Sequence, residues 1–149
     1  MHIRPASAAD AAQIAAFNCR LALESEGKRL DPETVRAGVE ALLADAAHGQ
    51  YFLATEGSEI AGQLLITYEW SDWRNGQFWW IQSVYVAPDF RRQGVFSKLL
   101  AHVHGLAGAR DDVCGLRLYV ENDNTRAIAT YAARGLESTG YSVMELELD

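Results

Sequence analysis

Val84-Tyr85-Val86-Ala87-Pro88-Asp89-Phe90-Arg91-Arg92-Gln93-Gly94-Val95-Phe96-Ser97 is the stretch on which the reading of this chain turns. Its first residues continue a strand, rich in aromatic and β-branched side chains, that begins near Phe78. Pro88 stops it. A basic turn follows. From Gly94 the apolar positions change to Phe96, Leu99, Leu100, Val103 and Leu106, the stripe of a helix. A helix N-terminus carries unpaired N–H groups and a partial positive charge. Arg91 and Arg92 add formal charge at the same point, and Gly94 lets backbone approach a ligand closely. The combination suits a phosphate. The bland reading of these residues is a solvated loop that caps a helix.

Upstream, His2-Ile3-Arg4 reads as a short strand stopped by Pro5, with Ser7 or Asp10 capping a first helix whose face is Ala11, Ile14, Phe17 and Leu21. The polar run from Glu24 to Leu30 is read as the loop that breaks this helix. Asp31-Pro32 restarts the chain as a second helix with Val35, Val39, Leu42 and Leu43 on its apolar face. Tyr51–Thr55, Ile60–Trp70 and Phe78–Val86 are strands joined by turns at Glu56-Gly57-Ser58 and Asn75-Gly76, hence antiparallel. Downstream of the third helix, Leu116–Val120 is a strand, and the helix crossing between it and Phe78–Val86 makes that pair parallel. Asn124–Arg134 suits a fourth helix with Gly135 at its C-terminus. Tyr141–Leu148 alternates apolar and polar residues and predicts a final strand. The fold class is therefore α/β, a mixed and mainly antiparallel twisted sheet of about six to seven strands flanked by four helices.

At 149 residues the chain is expected to be one domain, 1–149. Thirteen basic against 20 acidic residues give a net charge of −7, which disfavours nucleic acid and suits an amine-bearing partner better. Cys19 and Cys114 form no CxxC pair, so no disulfide framework is implied. His102 and His104 do not share a helix face, so no metal site is expected. No signal peptide and no apolar run of membrane-spanning length is present, so a cytoplasmic protein is expected.

The turn resembles the coenzyme-A-binding motif of the GNAT family of N-acetyltransferases, Arg/Gln-x-x-Gly-x-Gly/Ala. Arg91 and Gly94 match it, and Phe96 stands where a small residue is usual. A second block resembles the family's Asn-x-x-Ala-x-x-x-Tyr-x-x-x-Gly-Phe pattern through Asn124, Ala127, Tyr131 and Gly135, with Leu136 for Phe. The resemblance extends to the order of elements over essentially the whole chain. It implies transfer of an acetyl group from the co-substrate acetyl-CoA to an amine, either a small molecule or a protein amino group. It also implies that the parallel strand pair splays, with Val84 and Val86 meeting pantetheine through their backbone. Arg91, Arg92, Gln93, Gly94, Val95, Phe96 and Ser97 would hold the pyrophosphate, Asn124 would bond the pantetheine arm, and Tyr131 would protonate the departing thiolate.

Many relatives carry a glutamate as general base where this chain has Gln82, and an amide takes no proton at neutral pH. The candidate bases are Glu26, Glu24 and Glu121, with Glu26 favoured because it is read as lying deeper in the loop after the first helix. A water chain with no dedicated base is the other route. Glu24, Glu26, Asp72, Gln82 and Glu121 are the expected acceptor-site residues. The aromatic cluster Tyr68, Trp70, Trp73, Phe78, Trp79, Trp80 and Tyr85 divides between core and an outward set, which reads either as the wall of a cationic-amine site or as a homodimer surface. The competing function is a non-catalytic acyl-CoA sensor or regulatory module on the same fold, which the missing base at Gln82 would suit.

Overall fold

The computed structural model describes residues 1–148. The chain divides into two compact units, Met1–Leu118 and a second from Tyr119 onward. In the first, β1 (His2–Pro5), β2 (Gln50–Glu56), β3 (Glu59–Ser71), β4 (Gly76–Val86) and β5 (Val113–Leu118) lie in that order across one sheet. The first three junctions are antiparallel and β4–β5 is parallel. Helices α1 (Ala11–Glu26) and α2 (Pro32–Ala44) intervene between β1 and β2, and α3 (Val95–Gly108) makes the crossover from β4 to β5. The second unit contains α4 (Thr125–Ala133).

Both faces of the sheet are covered. Phe52, Ala54, Leu64, Ile66 and Ile81 form one core with Leu99, Leu100 and Val103 of α3. Tyr51, Leu53 and Leu65 form a second core with Ile14 of α1 and Val39 of α2. This is why Tyr51-Phe52-Leu53-Ala54 reads as an unbroken apolar run rather than an alternating one: neighbours point into different cores.

Asp31 caps α2 as expected, its carboxylate accepting from Thr34 N at 3.2 Å. Three expectations need correction. The helix α1 does not break at Glu24 but continues through Glu26. It closes at Gly27, where φ is +64° and the N–H of Gly27 and Lys28 reach back to Leu23 O and Ala22 O. The strand read at 116–120 runs instead from Val113 to Leu118. Its N-terminal half was hidden because Gly115 lacks the side chain of a strand former; a Cβ there would stand 2.8 Å from the Phe78 ring. Finally, the sheet has five strands among the described residues rather than six to seven, and Tyr141–Leu148 forms none.

Candidate active site

The site grows from the second half of β4. Leu65 pairs with Gln82 and Gln63 with Tyr85, so two β4 residues, Ser83 and Val84, stand opposite the single Leu64. This is a β-bulge, and Ser83 carries its strain at φ +50°. The bulge is held from beneath by a buried amide. Gln63, with no exposed surface, donates from Nε2 to Ser83 O at 3.0 Å and to Asn18 Oδ1 at 2.8 Å. Asn18 in turn donates to the Tyr51 hydroxyl at 3.0 Å. Nothing in the periodicity marked this Tyr51–Asn18–Gln63–Ser83 chain. A glutamine in an otherwise apolar strand was its only signal.

On its other side β4 pairs with β5 only as far as Ile81↔Leu118, while β4 itself continues to Val86. The parallel pair therefore parts at Gln82, and the backbone of Gln82–Val86 has no recorded strand partner on that side among the described residues.

The turn after β4 is shaped by two left-handed residues, Arg92 at φ +64° and Gly94 at φ +75°. Gly94 is the N-cap of α3 and has no side chain with which to cap it. A Cβ at Gly94 would meet nothing within 4 Å, so the position opens onto space. Gly62 fixes where the helix starts: a Cβ there would lie 2.9 Å from both Val95 Cγ1 and Tyr85 O. Glycine thus lets the first turn of α3 press against β3 beside the bulge.

Arg91 does not simply add charge to the turn. Its Nε donates to Val86 O at 3.0 Å and its Nη2 to Glu24 Oε1 at 2.9 Å, with the guanidinium 5.5 Å from the Tyr85 ring centroid. The Tyr85 hydroxyl donates to the other Glu24 oxygen. Glu24 is consequently held below the usual carboxylate range, by Tyr85 first and Arg91 second. Burial, reinforced by Glu24, pushes the Tyr85 phenol up. Arg92 and Gln93 are exposed, and Gln93 Nε2 donates to Asp89 O at 3.1 Å.

The remaining expected residues are dispersed. Glu24 and Glu26 stand on the last turn of α1, not in a loop, and Glu26 is exposed with Lys28 Nζ 3.8 Å away. The Gln82 amide donates to Thr67 Oγ1 at 2.5 Å. Asp72 lies exposed in the β3–β4 turn beside Trp73, which is 84% exposed. Of the aromatic cluster, Phe78, Trp79 and Tyr85 are core, whereas Tyr68, Trp70 and Trp73 face outward. Glu69 accepts from Trp80 Nε1 at 3.1 Å and Arg117 Nη1 at 2.9 Å. Among the described residues no group of three or more His, Cys, Asp or Glu gathers to hold a metal. No helix among them is long and apolar enough to cross a membrane.

In the second unit Asn124 is the N-cap of α4, its Oδ1 accepting from Ala127 N at 3.1 Å. Tyr131 is half-buried, and burial raises its phenol above the ordinary range. Glu121 is exposed ahead of α4 and does not end a strand, since β5 stops at Leu118.

A family model described as the acetyltransferase (GNAT) family matches residues 17–136. A thialysine N-epsilon-acetyltransferase from Bos taurus is 34% identical over 83 residues, 55% of this chain and 47% of that protein. The match thus spans about half the length of the curated relative. Among solved structures, a possible acetyltransferase from Clostridium difficile 630 superposes with a TM-score of 0.95 at 42% identity, covering 99% of this chain and 97% of the other. A predicted acetyltransferase from Clostridium acetobutylicum, solved with acetyl-CoA, superposes at 0.78 with 18% identity over 98% and 95% of the two chains. That last likeness is one of fold.

Proposed function

The chain belongs to the GNAT acetyltransferase family, and from that premise we propose that it is an N-acetyltransferase that moves the acetyl group of acetyl-CoA to a primary amine by direct attack in a ternary complex. The observation that carries this is the pairing of a bulged, splayed strand with a helix N-terminus capped by Gly94. A strand edge and an anion-binding helix end, in immediate succession, suit a ligand that is amide-bearing at one end and diphosphate at the other. The open space at Gly94 fits such a ligand.

In this reading the backbone of Val84 and Val86 bonds the pantetheine amides. The turn from Arg91 through Arg92, Gln93, Gly94, Val95, Phe96 and Ser97 receives the diphosphate. Arg91 contributes less as a free charge than as the brace tying the turn to Glu24. Asn124 organises α4 through its cap and offers its remaining polar capacity to the arm. Bound there, acetyl-CoA supplies the thioester carbonyl that the acceptor nitrogen attacks, forming the C–N bond as the C–S bond breaks. A backbone N–H of the bulge polarises that carbonyl. The raised Tyr131 phenol keeps its proton at neutral pH and gives it to the departing sulfur. Glu26 takes the amine proton, directly or through water. Glu24 is the poorer base because Tyr85 and Arg91 stabilise its charged form. Gln82 positions the acceptor, with Glu121 as the second candidate; Asp72 stands in the β3–β4 turn, six strand residues or about 20 Å from Gln82, and is left out of the acceptor site.

Similarity to a thialysine N-epsilon-acetyltransferase supports starting an acceptor panel with thialysine and lysine-like side-chain amines. The test incubates the full chain with acetyl-CoA and that panel, reading CoA thiol release and acetyl mass gain on the amine. Release that depends on the amine is expected. Binding of acetyl-CoA without release on any amine would move the assignment to the acyl-CoA sensor.

A further inference from the structure

Gln63 is fully buried in β3, yet no protein group among the described residues donates to its Oε1. Buried polar atoms are nearly always paired, so this one is an exception. The other end of the amide accounts for it. Nε2 donates to Asn18 Oδ1 of α1 at 2.8 Å and to Ser83 O at 3.0 Å. A main-chain carbonyl only accepts, so it dictates which end of the amide faces the bulge. Ser83 sets the orientation of the amide, and Oε1 is left over.

Pinning Ser83 O fixes more than one atom. Ser83 C=O and Val84 N–H belong to one planar trans peptide and point in opposite directions. Gln63 shares the α1 face of β3 with Leu65, while Leu64 between them joins the core beneath α3. Ser83 O is therefore drawn toward α1, and the Val84 N–H is turned away from it. Neither Ser83 nor Val84 has a register partner on β3 or β5 among the described residues, so strand pairing does not hold this peptide plane. Ser83 also stands at φ +50°, a conformation that persists in a serine only where its surroundings enforce it. The Gln63 side chain supplies that constraint.

We propose that Gln63 is a positioning residue for acetyl transfer: its amide pins Ser83 O so that the Val84 N–H is aimed at the thioester carbonyl of bound acetyl-CoA. This rests on the acetyl-transfer reading above, in which a bulge N–H polarises that carbonyl. Gln63 itself touches no substrate. Its effect is carried through one peptide plane, and the Val84 carbonyl is left for pantetheine. A donor that is held in place before the amine attacks stabilises the growing charge on the oxygen without reorganising.

Isotope-edited infrared spectroscopy of the full chain, with acetyl-CoA labelled at the thioester carbonyl carbon, tests this. A hydrogen bond lowers the carbonyl stretching frequency, so binding to the wild type is expected to shift the band down. Gln63→Met keeps the length of the side chain and removes its donor. It is expected to lose most of the downshift, with kcat falling about 10- to 100-fold and KM for acetyl-CoA little changed. Asn18→Leu disturbs the same buried network but leaves the Gln63–Ser83 bond, and is expected to keep most of the downshift. A full downshift in Gln63→Met, or equal loss in both variants, would overturn the proposal and leave the acetyl-transfer reading standing. A wild-type complex with no downshift would overturn both. If Gln63→Met loses its helical circular dichroism, replacing Val84 by its α-hydroxy acid decides. That ester lacks the N–H and keeps the side chain, so loss of the downshift supports the proposal and its retention overturns it.

Discussion

Two side chains divide the proposed proton traffic, and each is separable by one atom. Tyr131→Phe keeps the ring and removes the donor. Turnover is expected to fall about 10²–10⁴-fold with acetyl-CoA affinity intact, read by steady-state kinetics beside calorimetry. Unchanged turnover would make the tyrosine structural. Glu26→Gln removes a carboxylate and leaves the shape. Its defect is expected to be largest at low pH, where the amine is mostly protonated, and to shrink as pH rises. A loss equal at every pH would mean that Glu26 positions substrate instead. Glu24→Gln serves as the contrast: its effect should appear as a looser turn and weaker acetyl-CoA binding, because its partners are Arg91 and Tyr85.

At the scale of elements, the β4–turn–α3 unit is organised by its backbone more than by its side chains. Gly94 sits at φ +75° with open space where a Cβ would go. Gly94→Val therefore strains the left-handed cap and fills the approach to the helix N-terminus at once. Acetyl-CoA affinity is expected to drop at least tenfold by calorimetry, with Gly94→Ala intermediate. Equal affinity in the valine variant would remove the turn from the site. This unit was legible in the sequence because its signals are local: a β-rich run, a proline, a basic turn, a glycine and a helical stripe. The Ser83 bulge was not, since it depends on Gln63 and Asn18 arriving from other elements. Glu24 and Glu26 were misread as loop because an exposed last helical turn and a loop share polar composition. Gly27 was the informative residue, three positions later than the assumed break. Tyr141–Leu148 was read as a final strand and forms none, because alternation specifies which side chains share a face, not whether a sheet edge receives them.

Over the larger unit as a whole, α1 is fastened to the sheet at both ends by a carboxylate. At its start Asp10, 8% exposed, accepts two bonds from the Arg4 guanidinium of β1, at 2.8 and 2.9 Å, and one from Ser7 N. At its end Glu24 accepts from Tyr85 and Arg91. Both carboxylates are held below their ordinary range, Asp10 chiefly by the Arg4 hydrogen bonds and Glu24 chiefly by Tyr85. A carboxylate with a lowered folded-state pKa binds fewer protons folded than unfolded. Its stabilisation is complete above the unfolded pKa, about 4, and is lost as pH falls through the lower folded value. Stability from these two groups is therefore expected to be level from pH 6 to 8 and to decline below about pH 4. Asp10→Asn keeps the shape but leaves Arg4 without its counter-charge, at an expected cost of about 1–3 kcal/mol at pH 7. Urea unfolding of both proteins from pH 3 to 7 checks the sign. The gap between them should narrow at the acid end, where the wild-type carboxylate also becomes neutral. A gap of constant size would locate the loss in the Ser7–Asp10 cap geometry and not in the charge.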